Sequence, residues 1–167
     1  MKNKLTCALA LLACSTFANA DWVGSVNYNY FSDGIGSEDV DLGAIGITAG
    51  YRFDISDNFR LVPELRIGTG FGDDSIAPNV DIEIDDYFGA ALRGEYVASE
   101  DVYLFAVISN QNIGFSVDGF TNASDSATEF GYGAGAGWQI NEHNAVEISY
   151  EDIDDVDLIT VGYRFSF

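Results

Sequence analysis

Phe130-Gly131-Tyr132-Gly133-Ala134-Gly135-Ala136-Gly137-Trp138 sets a glycine between each pair of larger residues. Successive side chains leave a β-strand on opposite faces. This period of two therefore puts Phe130, Tyr132, Ala134, Ala136 and Trp138 on one face and only glycine on the other. A glycine-rich phosphate loop is the competing reading. It fails because such a loop ends a strand and opens a helix, whereas here the alternation runs on and no helical period follows. The two faces make opposite demands on their surroundings. A soluble barrel packs its large side chains inside, and the lumen of a small barrel is too narrow for this set. The glycine face suits a narrow interior, where it leaves room for long side chains from across the barrel. The bulky face then points outward, which is stable only against lipid.

The same division runs through the chain after Ala20. Trp22, Val26, Tyr28 and Tyr30 oppose Ser25, Asn27 and Asn29; Ile45, Ile47, Ala49, Tyr51 and Phe53 oppose Gly46, Thr48, Gly50 and Arg52. Phe59, Leu61, Leu65, Ile67 and Phe71 oppose Arg60, Glu64, Arg66 and Gly68; Phe88, Ala90, Leu92 and Tyr96 oppose Gly89, Ala91, Arg93 and Glu95. Val146, Ile148 and Tyr150 oppose Glu147, Ser149 and Glu151; Ile159, Val161, Tyr163, Phe165 and Phe167 oppose Thr160, Gly162, Arg164 and Ser166. The run from Val102 to Asn112 is apolar on both faces, and the pattern does not orient it. With the glycine strand these make eight, each about as long as a tilted membrane strand must be. The prediction is an all-β fold, an eight-stranded antiparallel up-and-down transmembrane β-barrel over residues 21–167.

The connections alternate. Asp54–Asn58, Ala98–Asp101 and Asn141–Asn144 are tight. Ser32–Asp41, Gly72–Asn79 and Gly114–Ala127 are longer, and Asp152–Asp157 is the short exception. Short turns on one rim and longer loops on the other place both termini on the periplasmic side. Aromatics then sort by height: Trp22, Phe53, Phe59, Tyr96, Tyr103, Trp138 and Phe165 low, and Tyr28, Tyr30, Phe71, Phe88, Phe130 and Tyr150 high. Such belts mark the two membrane interfaces. Pro63 removes a ladder donor, which predicts a bulge or local water in the third strand.

The first residues, Met1-Lys2-Asn3-Lys4, are polar and basic. The apolar stretch Leu5–Ala13 follows, and Ala18-Asn19-Ala20 supplies small residues for cleavage after Ala20. Residues 1–20 thus read as a cleaved secretory signal peptide, since the apolar run is too short to span a bilayer. Leu11-Leu12-Ala13-Cys14 loosely resembles a lipoprotein box, but Leu12 fits it poorly. Both cysteines, Cys7 and Cys14, and both lysines lie in this segment. The mature chain then has no disulfide and no thiol. It carries five arginines against 27 acids, a net charge of −22. So acidic a chain does not bind nucleic acid by neutralising phosphates. A content of 47% hydrophobic and 14% aromatic residues argues for an ordered fold all the same.

The C-terminal run Ile159-x-Val161-x-Tyr163-x-Phe165-x-Phe167 is the most specific element. It resembles the signal that the barrel-assembly machinery reads, carried by Tyr163, Phe165 and Phe167. With it, the whole mature chain resembles the eight-stranded outer-membrane barrels of Gram-negative bacteria: the OmpA-type transmembrane domain, the OmpX-type proteins and the opacity-like porin family. The resemblance implies a place in the cell outer membrane, among outer-membrane lipids and lipopolysaccharide. It also implies handling by periplasmic chaperones and the barrel-assembly machinery, and a monomer. OmpA-type proteins often add a periplasmic peptidoglycan-binding domain, and a chain ending at Phe167 is not expected to have that function.

All five arginines fall at inward positions, with three glutamates. Arg52, Arg60, Glu64, Arg66, Arg93, Glu95, Glu147 and Arg164 are candidates for a lumenal charge network, because a buried charge without a partner is very costly. In so narrow a barrel a polar plug is favoured over a gate or ion path. Acidic clusters gather on the extracellular side: Asp33, Glu38, Asp39 and Asp41; Asp81, Glu83, Asp85 and Asp86; and Glu151, Asp152, Asp154, Asp155 and Asp157. Such runs usually form a solvated rim. Clustered carboxylates also suit divalent cations, which are candidate partners, although the spacing matches no EF-hand loop. His143, the single histidine, falls in a periplasmic turn. Lipid A-modifying barrels use histidine near the outer leaflet, at the opposite end. No catalytic, cofactor or metal site is expected. The expectation is a non-enzymatic outer-membrane barrel with a structural or surface-interaction role, acidic extracellular loops and a plugged polar lumen. The alternatives are a small-solute or ion channel and a lipid-modifying enzyme.

Overall fold

The computed structural model describes residues 22–35, 38–71, 74–77, 80–118, 123–154 and 156–167. Residues 1–20, where the sequence reading expects a signal peptide, lie outside the described residues with Cys7 and Cys14, as does Asp155. Eight long strands form: β1 (Trp22–Ile35), β2 (Glu38–Tyr51), β3 (Phe59–Phe71), β4 (Val80–Val97), β5 (Val102–Asp118), β6 (Ala123–Asn141), β7 (Asn144–Ile153) and β8 (Val156–Ser166). Each pairs antiparallel with its neighbours in the chain. β1 also pairs with β8, from Val23↔Ser166 to Asp33↔Val156, which closes the sheet. Closure removes free edges where the membrane offers no water to satisfy them. Phe53–Asp54 continues β2, and the short strand Asp74–Ala77 pairs with the upper part of β4.

Exposure alternates as the sequence does. Ile45, Leu65, Ile67, Leu104, Ile108, Ile148 and Val161 are exposed on the outside, while Glu64, Arg93, Glu95, Glu147 and Arg164 are buried inside. An apolar surface of this extent is untenable in water and requires lipid. Trp22, Phe53, Phe59, Tyr96 and Trp138 are exposed towards the rim with the tight turns, and Tyr28, Phe71, Phe88, Phe130 and Tyr150 towards the other. The Tyr51 ring meets Trp22 edge-on at 5.4 Å and Phe53 at 4.8 Å, extending the lower belt. In the β6–β7 turn, Asn141 Oδ1 accepts hydrogen bonds from the His143 N–H at 3.0 Å and Asn144 Nδ2 at 2.9 Å. Side chains of this kind imitate backbone turn bonds.

Four expectations are corrected. First, the longer connections are largely strand. β1 and β2 pair to Ile35↔Glu38, and β5 and β6 pair to Val117↔Ala123, so the ladders run on through much of these connections. Pairing satisfies backbone groups that a polar loop would leave to water. Second, Pro63 causes no bulge. The β2–β3 ladder stops at Gly50↔Glu64 and resumes at Phe53↔Leu61 in the same register. The missing N–H leaves a gap in the ladder rather than a slip. Third, Tyr103 does not belong to the lower belt: it is buried in the lumen with Phe105, Val107, Ser109, Gln111 and Ile113, which orients β5. Fourth, the glycines of β6 make room for side chains on the two adjacent strands, not for side chains from across the barrel: Gly131 and Gly133 face Ile153 and Glu151 of β7, and Gly135 and Gly137 face rings of β5. Tyr103 pairs with Gly137 and Phe105 with Gly135. A Cβ at Gly137 would lie 2.1 Å from the Tyr103 ring, and one at Gly135 2.3 Å from the Phe105 ring.

Candidate functional site in the lumen

Inward positions two residues apart bring Glu64 and Arg66 from β3, Arg93 and Glu95 from β4, Glu147 and Glu151 from β7, and Arg164 from β8 into one interior. Glu64 is the centre. Its Oε1 lies 3.1 Å from both Arg93 Nε and Arg164 Nη1, and its Oε2 lies 3.4 Å from Arg66 Nη2. Glu147 Oε1 accepts from Arg93 Nη1 at 2.7 Å and from the Tyr103 hydroxyl at 2.6 Å. Arg164 Nη2 stands 3.0 Å from Glu95 Oε1. The Arg93 guanidinium also lies 4.0 Å from the centre of the Phe105 ring, a cation–π contact.

Arg52 and Arg60, read with this network, sit apart from it at the mouth beside the tight turns. Arg52 Nη2 donates to Ser166 Oγ at 2.9 Å, and Arg60 Nε lies 3.4 Å from Asp54. Glu151, grouped by the sequence with the acidic rim, belongs inside. Arg66 Nη1 lies 2.8 and 2.9 Å from its two carboxylate oxygens, and Ser109 Oγ donates to it at 3.1 Å. The alternation Glu147-x-Ser149-x-Glu151 carried that signal, but the acidic run beginning at Glu151 masked it.

The lumen is not polar throughout. Phe31, Leu42, Ala44, Tyr87, Ile113, Ile153 and Leu158 are buried together as an apolar cap at the end with the long hairpins. The Tyr87 ring packs where a Cβ at Gly46 or Gly68 would clash, and Asn29 Nδ2 donates to its hydroxyl. The cap has a physical reason. Above the lipid boundary the outside is water, so the usual order returns: Leu42, Ile153 and Leu158 point in, and Asp152 and Asp157 occupy outward positions. Beneath the cap lies a cavity of about 20 Å³ bordered by Asn29, Thr48, Gln111 and Thr160. A second, of about 10 Å³, lies at the mouth beside the tight turns. One water needs roughly 10–15 Å³ on this measure. The charge network separates the two cavities.

A closed eight-stranded barrel, apolar outside and charged within, is the architecture of an outer-membrane barrel. The chain belongs to the outer membrane protein beta-barrel domain family, whose profile matches residues 5–165, and its place is the cell outer membrane. Solved structures share the fold. The attachment invasion locus protein Ail of Yersinia pestis aligns over 87% of this chain and 97% of its own, at 19% identity and a TM-score of 0.65. The neisserial surface protein A aligns over 88% and 97%, at 14% identity and a TM-score of 0.65. The N-terminal barrel domain of OprF from Pseudomonas aeruginosa aligns over 86% and 97%, at 12% identity and a TM-score of 0.58. No curated protein matches the chain in sequence.

Proposed function

We propose that this protein is a non-enzymatic outer-membrane barrel that acts through its outer wall and extracellular hairpins, not by passing solutes or turning over a substrate. The observation that supports this reading best is the filled interior: an interlocked layer of Glu64, Arg66, Arg93, Glu95, Glu147, Glu151 and Arg164 below an apolar cap. The cavities on either side of that layer are about the size of one or two waters. No substrate fits there. His143 is exposed in the periplasmic turn, away from the outer leaflet.

The extracellular side supplies the working surface. The acidic positions of the β1–β2 hairpin, of upper β4 and of the β7–β8 hairpin carry no lysine among them. The similar barrel Ail of Yersinia pestis has been crystallised in complex with the heparin analogue sucrose octasulfate. Acidic hairpins repel such a polyanion, so the fitting partners here are cationic surfaces or divalent cations. The proposal extends to biogenesis: removal of residues 1–20, escort by periplasmic chaperones, and reading of Tyr163, Phe165 and Phe167 by the barrel-assembly machinery. In the membrane the protein is then a monomer among lipids and lipopolysaccharide.

The test combines planar-bilayer recording with mass spectrometry of lipid A from cells making the protein. The expected result is no sustained conductance and an unchanged lipid A mass. A large, steady conductance would make it a channel, and a shifted mass would make it an enzyme.

A further inference from the structure

Two asparagines stand on the outer wall of β5. Asn112 is engaged: its Nδ2 donates to Thr128 Oγ1 at 3.0 Å and to the Ala127 carbonyl at 3.2 Å. Asn110 is exposed, and its amide makes no hydrogen bond among the described residues. It pairs with Ala90 of β4 on one side and Phe130 of β6 on the other. Phe88, the partner of Asn112, and Tyr132, the partner of Ile108, are its diagonal neighbours, close enough for large side chains to reach. All three rings are exposed on the outside. Their level follows from the tilt of the strands, which makes each cross-strand row climb around the barrel. The row Leu92–Ile108–Tyr132–Asp152–Asp157 passes from apolar to acidic, so the membrane boundary crosses it between Tyr132 and Asp152. The Tyr132 hydroxyl accordingly donates to Asp152 Oδ2 at 3.0 Å. The row Ala90–Asn110–Phe130 lies next to it and climbs the same way, which sets the Phe130 ring above the free amide. An amide among rings at this depth is costly unless a headgroup supplies its partner.

Charge selects the headgroup. Arg66, Arg93 and Arg164 are in the lumen, and Arg52 and Arg60 are at the mouth beside the tight turns, so no arginine reaches this wall. The charges nearest to it, Asp86 and Asp152, are acidic. Such a wall does not attract a phosphate. Its neutral groups have a different complement. A primary amide both donates and accepts, as a sugar hydroxyl does. The electron-rich faces of Phe88 and Phe130 suit the C–H face of a sugar ring. We propose that Phe88, Asn110 and Phe130 form a docking platform for a neutral pyranose ring of a glycolipid in the outer leaflet. A ring hydroxyl bonds the Asn110 amide, and a phenylalanine ring covers the sugar's C–H face. The proposal rests on the reading that the barrel works through its outer wall with the long hairpins outside the cell.

The test places the purified protein in nanodiscs of phosphatidylethanolamine and phosphatidylglycerol. Increasing amounts of monoglucosyl diacylglycerol are added, or of diacylglycerol, which has the same tails and no sugar. The side-chain amide of Asn110 and the ring protons of Phe88 and Phe130 are followed by heteronuclear NMR. The expected result is a saturable shift of the Asn110 amide with the glucolipid and none with diacylglycerol, with contacts from sugar protons to the phenylalanine rings. Rough lipopolysaccharide should compete for the same signals. Asn110→Ala changes an exposed side chain and should fold, which heat-modifiable migration checks. It should weaken binding about two- to tenfold, read at the phenylalanine rings. Phe130→Leu should weaken it too, read at Asn110. Phe71→Leu, elsewhere in the same upper belt, should leave it unchanged. An equal response to diacylglycerol, no competition by lipopolysaccharide, or unchanged binding in Asn110→Ala and Phe130→Leu would overturn the proposal, and so would an equal loss in Phe71→Leu. A steady bilayer conductance would overturn the non-channel reading and leave these shifts in place, so the two failures are distinct.

Discussion

Glu64 touches all three central arginines, and its side chain has no exposed surface. Removing one member of such a layer strands the opposing charges. Glu64→Gln should therefore cost about 3–5 kcal/mol of stability, lessened where water reaches the layer from the flanking cavities. Asp57→Asn, in an exposed turn, should stay within about 0.5 kcal/mol. Urea unfolding in detergent micelles measures both, and equal losses would show that the layer is fully hydrated. The membership of this layer was largely legible in the sequence, because alternation alone sends Glu64, Arg66, Arg93, Glu95, Glu147 and Arg164 inward. The pairing was not, because period two says nothing about depth. Arg52 and Arg60 also face inward yet sit too near the rim with the tight turns to join it. Gly137 presents a related case, where the sequence showed empty space but not its occupant. Gly137→Ala drives a methyl into the Tyr103 ring. It should break the bond from Tyr103 to Glu147 and cost about 1–3 kcal/mol, with a change in near-ultraviolet circular dichroism. An unaltered tyrosine signal would count against that packing.

Strands obey the alternation only in relation to their solvent, and each long strand meets two. Within the lipid, β7 turns Val146 and Ile148 outward and Glu147 inward; a few residues on, it turns Asp152 outward and Ile153 inward. The period never breaks, but the polarity of the two faces reverses at the membrane boundary. Read as a single pattern, the chain suggested a polar lumen throughout, and the reversal is why the apolar cap went unseen. The same boundary explains why the upper strand segments read as loops: outward positions such as Asn110, Ser126 and Thr128 are polar, so no bulky face marked them. Ile148 lies in the lipid-facing middle of β7, 57% exposed. Ile148→Arg should destabilise insertion by about 2–4 kcal/mol, measured by folding into vesicles. A loss below about 1 kcal/mol would place Ile148 at an interface instead. At the end of β8, the Phe167 N–H bonds to the Trp22 carbonyl at 3.0 Å, and the Phe165 and Phe167 rings pack at 5.1 Å. This corner ties the last strand to the first, where the barrel closes. Deleting Phe167 should lower the amount of heat-modifiable protein recovered from outer membranes, and undiminished recovery at low expression would refute a role in assembly.

Across the whole molecule, two barriers of different chemistry lie in series between the periplasm and the exterior. The lower is the charged layer, held by ion pairs between strands β3, β4, β7 and β8. The upper is the cap, where Phe31 and Tyr87 meet at 6.0 Å over Ile113, Ile153 and Leu158. Opening the lower barrier alone wets the layer from the periplasmic side but leaves an apolar constriction above it. Such a constriction resists ions because none of its groups can replace their hydration. Opening the upper barrier alone leaves the ion pairs intact. The expected outcome is therefore stepwise. Wild type conducts poorly; Arg93→Ala lowers stability by about 3–5 kcal/mol with only flickering openings; and Tyr87→Ala alone stays closed. The double variant should conduct steadily. It should also prefer cations, since Glu64, Glu95, Glu147 and Glu151 then outnumber Arg66 and Arg164 in the path. Single-channel recording of the four proteins decides. If Arg93→Ala alone conducts as much as the double variant, the apolar cap is no barrier and the ion pairs close the barrel unaided.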